Sequence, residues 1–290
     1  MNIGAMATAA KPWLRLLRLH HPADYALIAL LQLWGVWLGS GGTPPPAILL
    51  ALLVGSLLLR NTGWLVHDIV GAYYAHPKHS WRSVLRALPQ PMRWALLLET
   101  AGAALLLAVV GWPTLLISLC AAAVALSYPW LRRRTFLGEL LLALAIAAAS
   151  VSAFSAVALP NKTAWLVYTG AALWVTAWLT QYAALHLQQH ARLGIRSLVM
   201  LFGSADRWLI ATLQLSALLT LYLAGKQEKL GVFMGIGLVT AALLVLYQQW
   251  LMRGGNDDGY RRAYLNNVWF GIAVFCGIAF HYLCMAQTRS

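Results

Sequence analysis

In the stretch LHLQQHARLGIRS, His186 and His190 stand four residues apart, one helical turn, and Arg192 and Arg196 follow directly. From Gln181 to Ser197 there is no carboxylate. Earlier in the chain, HDIVGAYYAHPKH places His67 beside Asp68, with Lys78 and Arg86 downstream. Three chemistries suit these residue types. Two imidazoles at i and i+4 can share a borderline metal such as Zn, Fe or Cu, with His67 and Asp68 completing the ligand set. Protonated histidines together with the arginines can hold an anion by charge-assisted hydrogen bonds. The plainest alternative is a polar, wet helix end with no ligand. The spacing alone leaves all three open.

The elements that must position these residues are membrane helices. The chain has 290 residues, 61% hydrophobic and only 10% charged, a composition outside the range of soluble domains. Nine apolar runs approach the ~20 residues a helix needs to cross a bilayer. They lie near 24–40, 46–66, 94–111, 114–130, 137–158, 164–184, 208–225, 230–251 and 267–285. Residues 1–22 interleave Lys11, Arg15 and Arg18 with Trp13, Leu14, Leu16 and Leu17, the pattern of an amphipathic segment lying on the membrane rather than of a signal peptide. Residues 23–290 then form a single transmembrane domain.

Of 21 Lys and Arg, all but Lys162, Lys226, Lys229 and Arg289 fall on one side of this topology. The positive-inside rule makes that side cytoplasmic, with the N-terminus inside and the C-terminus periplasmic. The net charge of +13 is therefore read as topology and attraction to anionic lipid, and no motif supports binding of nucleic acid. Cys120, Cys276 and Cys284 fall in apolar runs, spaced for neither a metal nor a disulfide framework. Among ionisable residues only His281 is read as clearly inside a membrane helix, which argues against a channel or transporter. Asn266 and Asn267 are read as caps at the start of the last helix.

Four segments together resemble one family. LRLLRLHHPADYALIALLQLWGVWL is similar to the first helix of the UbiA-type intramembrane prenyltransferases, and LSYPWLRRRTFLGELLLAL to their basic loop. WLTQYAALHLQQHARLGIRSLVMLFG resembles their second signature region. YQQWLMRGGNDDGYRRAYLNNVWFG resembles the C-terminal turn of the proteobacterial branch that prenylates 4-hydroxybenzoate in ubiquinone biosynthesis. The resemblance implies an all-α fold of nine transmembrane helices in the bacterial inner membrane. It also implies transfer of a polyprenyl group from its diphosphate to an aromatic ring, with Mg²⁺ held by two acidic motifs. The first has the form N-D-x-x-D-x-x-x-D and the second D-x-x-x-D with a further Asp upstream. Mg²⁺ is a hard cation that takes oxygen ligands, which is why such motifs are acidic.

This chain departs from that pattern. It has eight Asp and Glu in all. At the first motif stand His67, Asp68, Gly71 and Ala75, so Asp68 is the one retained acid. At the second stand Leu179, His186 and His190, with Gln188 and Gln189 between the histidines. The cationic half of the site is better kept: Lys78, Arg86, Arg132, Arg133, Arg192 and Arg196 match family Lys or Arg positions, and Tyr182 shares the His186 stripe. The expected function is thus a non-catalytic member, a pseudoenzyme without a bound metal, which holds an isoprenoid or quinone-like lipid or serves a protein partner subunit. The alternative is a working aromatic prenyltransferase whose site uses Mg²⁺ as in the family, a transition metal on histidines, or His and Arg alone against the diphosphate.

Overall fold

The computed structural model describes residues 22–75, 88 and 90–287. The predicted amphipathic segment before them, and Lys78 and Arg86, lie outside the described residues. The described chain is helical throughout, without a strand. The long helices are α1 (Pro22–Gly39), α2 (Pro46–Ala75), α3 (Gln90–Val110), α4 (Trp112–Arg134), α5 (Gly138–Ser155) and α6 (Lys162–Leu185). Two short helices, α7 (Leu187–Arg192) and α8 (Leu198–Phe202), precede α9 (Asp206–Gln227), α10 (Val232–Met252) and α11 (Asp257–Gln287).

Each predicted apolar run coincides with one long helix. Among the described residues, however, seven segments are long and apolar enough to cross a membrane, not nine. The stretch Ala23–Gly39 of α1 is apolar but shorter, and α6 is not among the seven. The reason for α6 lies in its place: it packs on α1, α5, α9 and α11 and buries Thr176, Thr180 and Gln181 toward those neighbours. A helix enclosed by helices has no need of lipid-facing apolar residues. Outward faces elsewhere carry Leu98, Leu105, Val109, Leu215, Leu219 and Leu243, all exposed, as an integral membrane protein requires where lipid is the solvent.

Two helix boundaries differ from the sequence expectation. The last helix starts at Asp257, ten residues before its apolar run, because Asn256 Oδ1 accepts a hydrogen bond from Gly259 N (2.8 Å) and Asp257 and Asp258 fill the first turn. Both features satisfy the positive end of a helix. Asn266 and Asn267 are therefore deep within α11 rather than at its cap. At the other boundary, α6 ends at Leu185 and His186 (φ −111°, ψ 19°) forms a joint before α7.

The core centres on Trp34, Trp174 and Phe270, all fully buried. Trp174 stacks on both, with ring centroids 5.2 Å from Trp34 and 5.0 Å from Phe270. Helix contacts are tight where glycine permits. A Cβ on Gly35 would collide with the Ser150 carbonyl of α5, and one on Gly237 would lie 2.7 Å from the Ala273 carbonyl of α11. Such close approach is how helices associate without a hydrophobic drive between them.

Candidate functional site

The predicted rim residues lie at the ends of α2, α4 and α6 and in the α7 segment. Near the end of α2, His67 Nδ1 lies 3.6 Å from the Asp68 carboxylate, and both side chains are partly exposed. The His67 ring also meets the edge of Trp64, centroid to centroid 5.4 Å. Gly71 is exposed with open space where a Cβ would stand, and Ala75 is the last residue of α2.

On the second segment, Leu179 packs against the main core, so its position offers no ligand to the rim. His186 Nδ1 lies 2.9 Å from the Tyr182 carbonyl, and its ring is 4.2 Å from the half-exposed Tyr182 ring. His190 is buried, 7% exposed, and its ring lies nearly parallel to that of His186 at 6.1 Å. Its Nδ1 has no hydrogen-bond partner among the described residues. Burial first, then the nearby Arg132 and His186 charges, pushes the His190 pKa down to about 4. It is a neutral imidazole at neutral pH, not a cation for an anion to meet. Gln188 and Gln189 point to solvent.

The arginines divide by role. Arg196 N donates to the Arg132 carbonyl (2.7 Å) and Arg196 Nη1 to the Arg134 carbonyl (2.9 Å). Arg133 Nη1 donates to the Leu193 carbonyl at 2.8 Å while its guanidinium lies 4.0 Å over the Tyr74 ring. Arg133 thus joins the two motif-bearing segments, touching α2 with one face and the turn after α7 with its tip. Arg132 lies 5.6 Å from the Tyr128 ring. Arg192 is exposed. A further anchor, missed by sequence reasoning, is Glu139 of α5: buried, it accepts from Leu198 N (3.1 Å) at the start of α8 and pins the GIRS turn. Its only sequence signal is an acid in the first turn of an apolar helix.

A second polar cluster lies deeper. Arg60, counted from sequence among the cytoplasmic charges, is instead inside α2 with a 4% exposed side chain, and its Nη2 lies 2.9 Å from Asp24 Oδ2. Tyr264 donates to Asp24 Oδ1 (3.1 Å), Tyr25 to Asn61 Oδ1 (3.0 Å), and Asn61 Nδ2 to Glu99 Oε1 (3.5 Å). The expectation that His281 alone is ionisable within the helices therefore fails: a buried Arg needs a carboxylate partner, and Asp24 of α1 supplies it.

A Mg²⁺ ion does not fit the donor set at the motif positions, which offers Asp68, three imidazoles and a leucine packed against the core where the metal takes oxygen ligands. No group of three or more His, Cys, Asp and Glu side chains comes together among the described residues to hold a metal. Two further acids have local tasks. Asp206 accepts from Tyr260 (2.6 Å), and Asp258 pairs with Arg262 (3.0 Å).

Comparison with known proteins is consistent along the chain. The profile of the UbiA prenyltransferase family matches residues 28–272. A 4-hydroxybenzoate octaprenyltransferase of Hahella chejuensis is 33% identical over 93% of this chain and 92% of its own length. One from Nitrosococcus oceani is 34% identical over 93% and 96%. Among solved structures, a UbiA homolog from Aeropyrum pernix K1 superposes with a TM-score of 0.72 at 18% identity, covering 89% of this chain and 98% of the other. A UbiA homolog from Archaeoglobus fulgidus, bound to GPP and Mg²⁺, does so at 0.65 with 13% identity, covering 94% and 99%.

Proposed function

Because the chain belongs to the UbiA prenyltransferase family, we propose that it is a lipid-binding member that does not carry out Mg²⁺-dependent prenyl transfer. The observation that carries this is the state of the motif positions: one carboxylate at Asp68, Leu179 packed against the core, His186 turned to its own helix backbone and His190 buried and neutral. The ligand class is an isoprenoid or quinone-like lipid, in keeping with the GPP bound by the Archaeoglobus homolog. The exposed Arg192 at the rim would face a diphosphate, with Lys78 and Arg86, which lie outside the described residues, added on the family resemblance alone; a protein partner subunit would use the same surface. On this reading the chain would sit in the bacterial inner membrane as nine spans, the seven long apolar segments joined by α1 and α6, with the rim and the segment 1–22 on the cytoplasmic side.

A second reading has its own support: relatives aligned over more than nine-tenths of the chain are 4-hydroxybenzoate octaprenyltransferases. Under it the bond from the prenyl C1 to the diphosphate oxygen breaks, a carbon–carbon bond to the ring forms, and diphosphate and a ring proton leave. Cationic arginines would then stabilise the leaving group.

The test is a transfer assay on purified protein in lipid, with 4-hydroxybenzoate and a polyprenyl diphosphate, with and without Mg²⁺, alongside elemental analysis. The proposal expects no product. Mg²⁺-dependent product overturns it, and product that survives a chelator or tracks a bound transition metal establishes the second reading.

A further inference from the structure

Helices α9 and α10 pack as antiparallel neighbours, tied at one level by Gln249 Nε2, which donates to Gln214 Oε1 (3.3 Å). Arg207 stands seven residues before Gln214, and Arg253 four after Gln249. At 3.6 residues per turn both therefore lie on the stripes that meet at this seam, at its same end. Arg253 follows directly on the apolar span Val232–Met252, the level at which hydrocarbon gives way to headgroups. Each arginine rests over an exposed tryptophan: the Arg207 guanidinium lies 5.4 Å from the Trp208 ring, and that of Arg253 4.9 Å from Trp250. One residue step along either antiparallel chain turns toward the same side of the seam, so Trp208, after Arg207, and Trp250, after Gln249, flank it on one face. Deeper in the bilayer that face continues with the exposed Leu215 and Leu246. Neither guanidinium has a carboxylate or a hydrogen-bond acceptor among the described residues. Two nearby acids are engaged elsewhere, Asp206 with Tyr260 and the Arg207 backbone N–H, Asp258 with Arg262.

We propose that this end of the α9–α10 seam is a binding site for an anionic phospholipid of the surrounding bilayer. Its phosphate takes the free N–H groups of Arg207 and Arg253, whose planar forks suit phosphate oxygens. Its glycerol lies between the two indoles, rings that settle at headgroup depth. Its acyl chains run along Leu215 and Leu246. That apolar continuation is why the occupant is a lipid and not a soluble phosphate: a headgroup held here keeps its chains in hydrocarbon. The charge pattern also selects the headgroup. A choline ammonium beside two unpaired guanidiniums is repelled, whereas a net negative headgroup is drawn in. The site lies on the lipid-facing side of the bundle, apart from the motif positions at the ends of α2 and α6, and does not depend on whether the chain transfers a prenyl group.

Lipid titration of the full chain in mild detergent, read by native mass spectrometry, tests the site. The probes are dioleoylphosphatidylglycerol and dioleoylphosphatidylcholine, which share their chains and differ in headgroup charge. The wild type is expected to prefer the anionic lipid about tenfold, as two cations at the headgroup level imply. The double variant Arg207→Gln with Arg253→Gln is expected to lose that preference. Lys226→Gln with Lys229→Gln removes the same charge at the opposite end of α9 and is expected to leave the preference as it is. Arg253→Glu, one change at an exposed position beyond the span, is expected to lower phosphatidylglycerol binding more than Arg253→Gln does, and it decides the matter should the double variant fold poorly. Equal binding of the two lipids by the wild type overturns the proposal. So does a preference that survives the double arginine variant, or one that falls equally in the lysine control, which would assign it to net charge alone. Displacement of the lipid by an equal concentration of inorganic diphosphate overturns the lipid as occupant in favour of a soluble phosphate.

Discussion

Asn267 Nδ2 donates to Gln181 Oε1 at 2.6 Å, tying α11 to α6 in the middle of the bundle. Gln181 Nε2 in turn donates to Gln248 Oε1 (3.1 Å), which also accepts from Gln214 Nε2 (2.6 Å). Trp174 Nε1 closes the chain on Asn267 Oδ1 (3.0 Å). Four helices meet through amides that are each satisfied by another, so the network selects one packing arrangement.

Replacing Gln248 by Leu strands the donors of Gln181 and Gln214 in the interior. The expected loss is about 1–3 kcal/mol for the stranded groups. Denaturation in mixed micelles measures it, and Tyr247→Leu on the exposed face of the same helix is expected to change little.

Acids restored to the motif positions separate space from chemistry. Gly71→Asp meets no heavy atom within 4 Å of its new Cβ and is expected to leave the melting temperature unchanged. Combined with His186→Asp it should confer Mg²⁺-dependent thermal stabilisation that the wild type lacks. Leu179→Asp removes a partly buried side chain packed against the core and sets a charge on that apolar contact, so it is expected to lower the melting temperature with or without Mg²⁺.

His190 gives a pH dependence of definite sign. In the folded chain it stays neutral down to about pH 4, whereas an exposed histidine protonates near 6.5. Between those values the unfolded form binds the extra proton, so the contribution of His190 is complete above pH 6.5 and is lost as pH falls toward 4. Proteolysis of the 186–197 segment should rise over that interval, and His190→Gln should flatten the rise.

Arg133 and Arg192 are expected to behave oppositely. Arg133→Gln loses the contacts to Leu193 and Tyr74 and should increase hydrogen exchange after α7. Arg192→Gln, at an exposed position, should leave exchange unchanged and weaken binding of a polyprenyl diphosphate several-fold.

Much of the architecture was legible because lipid imposes a simple rule: spans must be apolar and helical. The nine runs found their helices for that reason. Where that rule is relaxed, the sequence misleads. Arg60 reads as a loop charge until Asp24 is seen beside it, and α6 falls short in hydropathy because helices rather than lipid surround it. The rim was legible as a set of residue types but not as an arrangement. His186 and His190 look equivalent at one turn apart, yet a break at His186 leaves one half-exposed and the other buried.

The sequence by itself determined that this protein lives in a membrane, that it resembles one family, and which residue types stand along its LHLQQHARLGIRS and HDIVGAYYAHPKH stretches. These are properties of composition and local order. Only the tertiary structure decided which polar groups meet. Asp24 with Arg60, Glu139 with Leu198 and Gln181 with Asn267 each join separate helices. Such pairings follow from the need to satisfy every buried polar group, and that need is met by whichever helix the packing brings near.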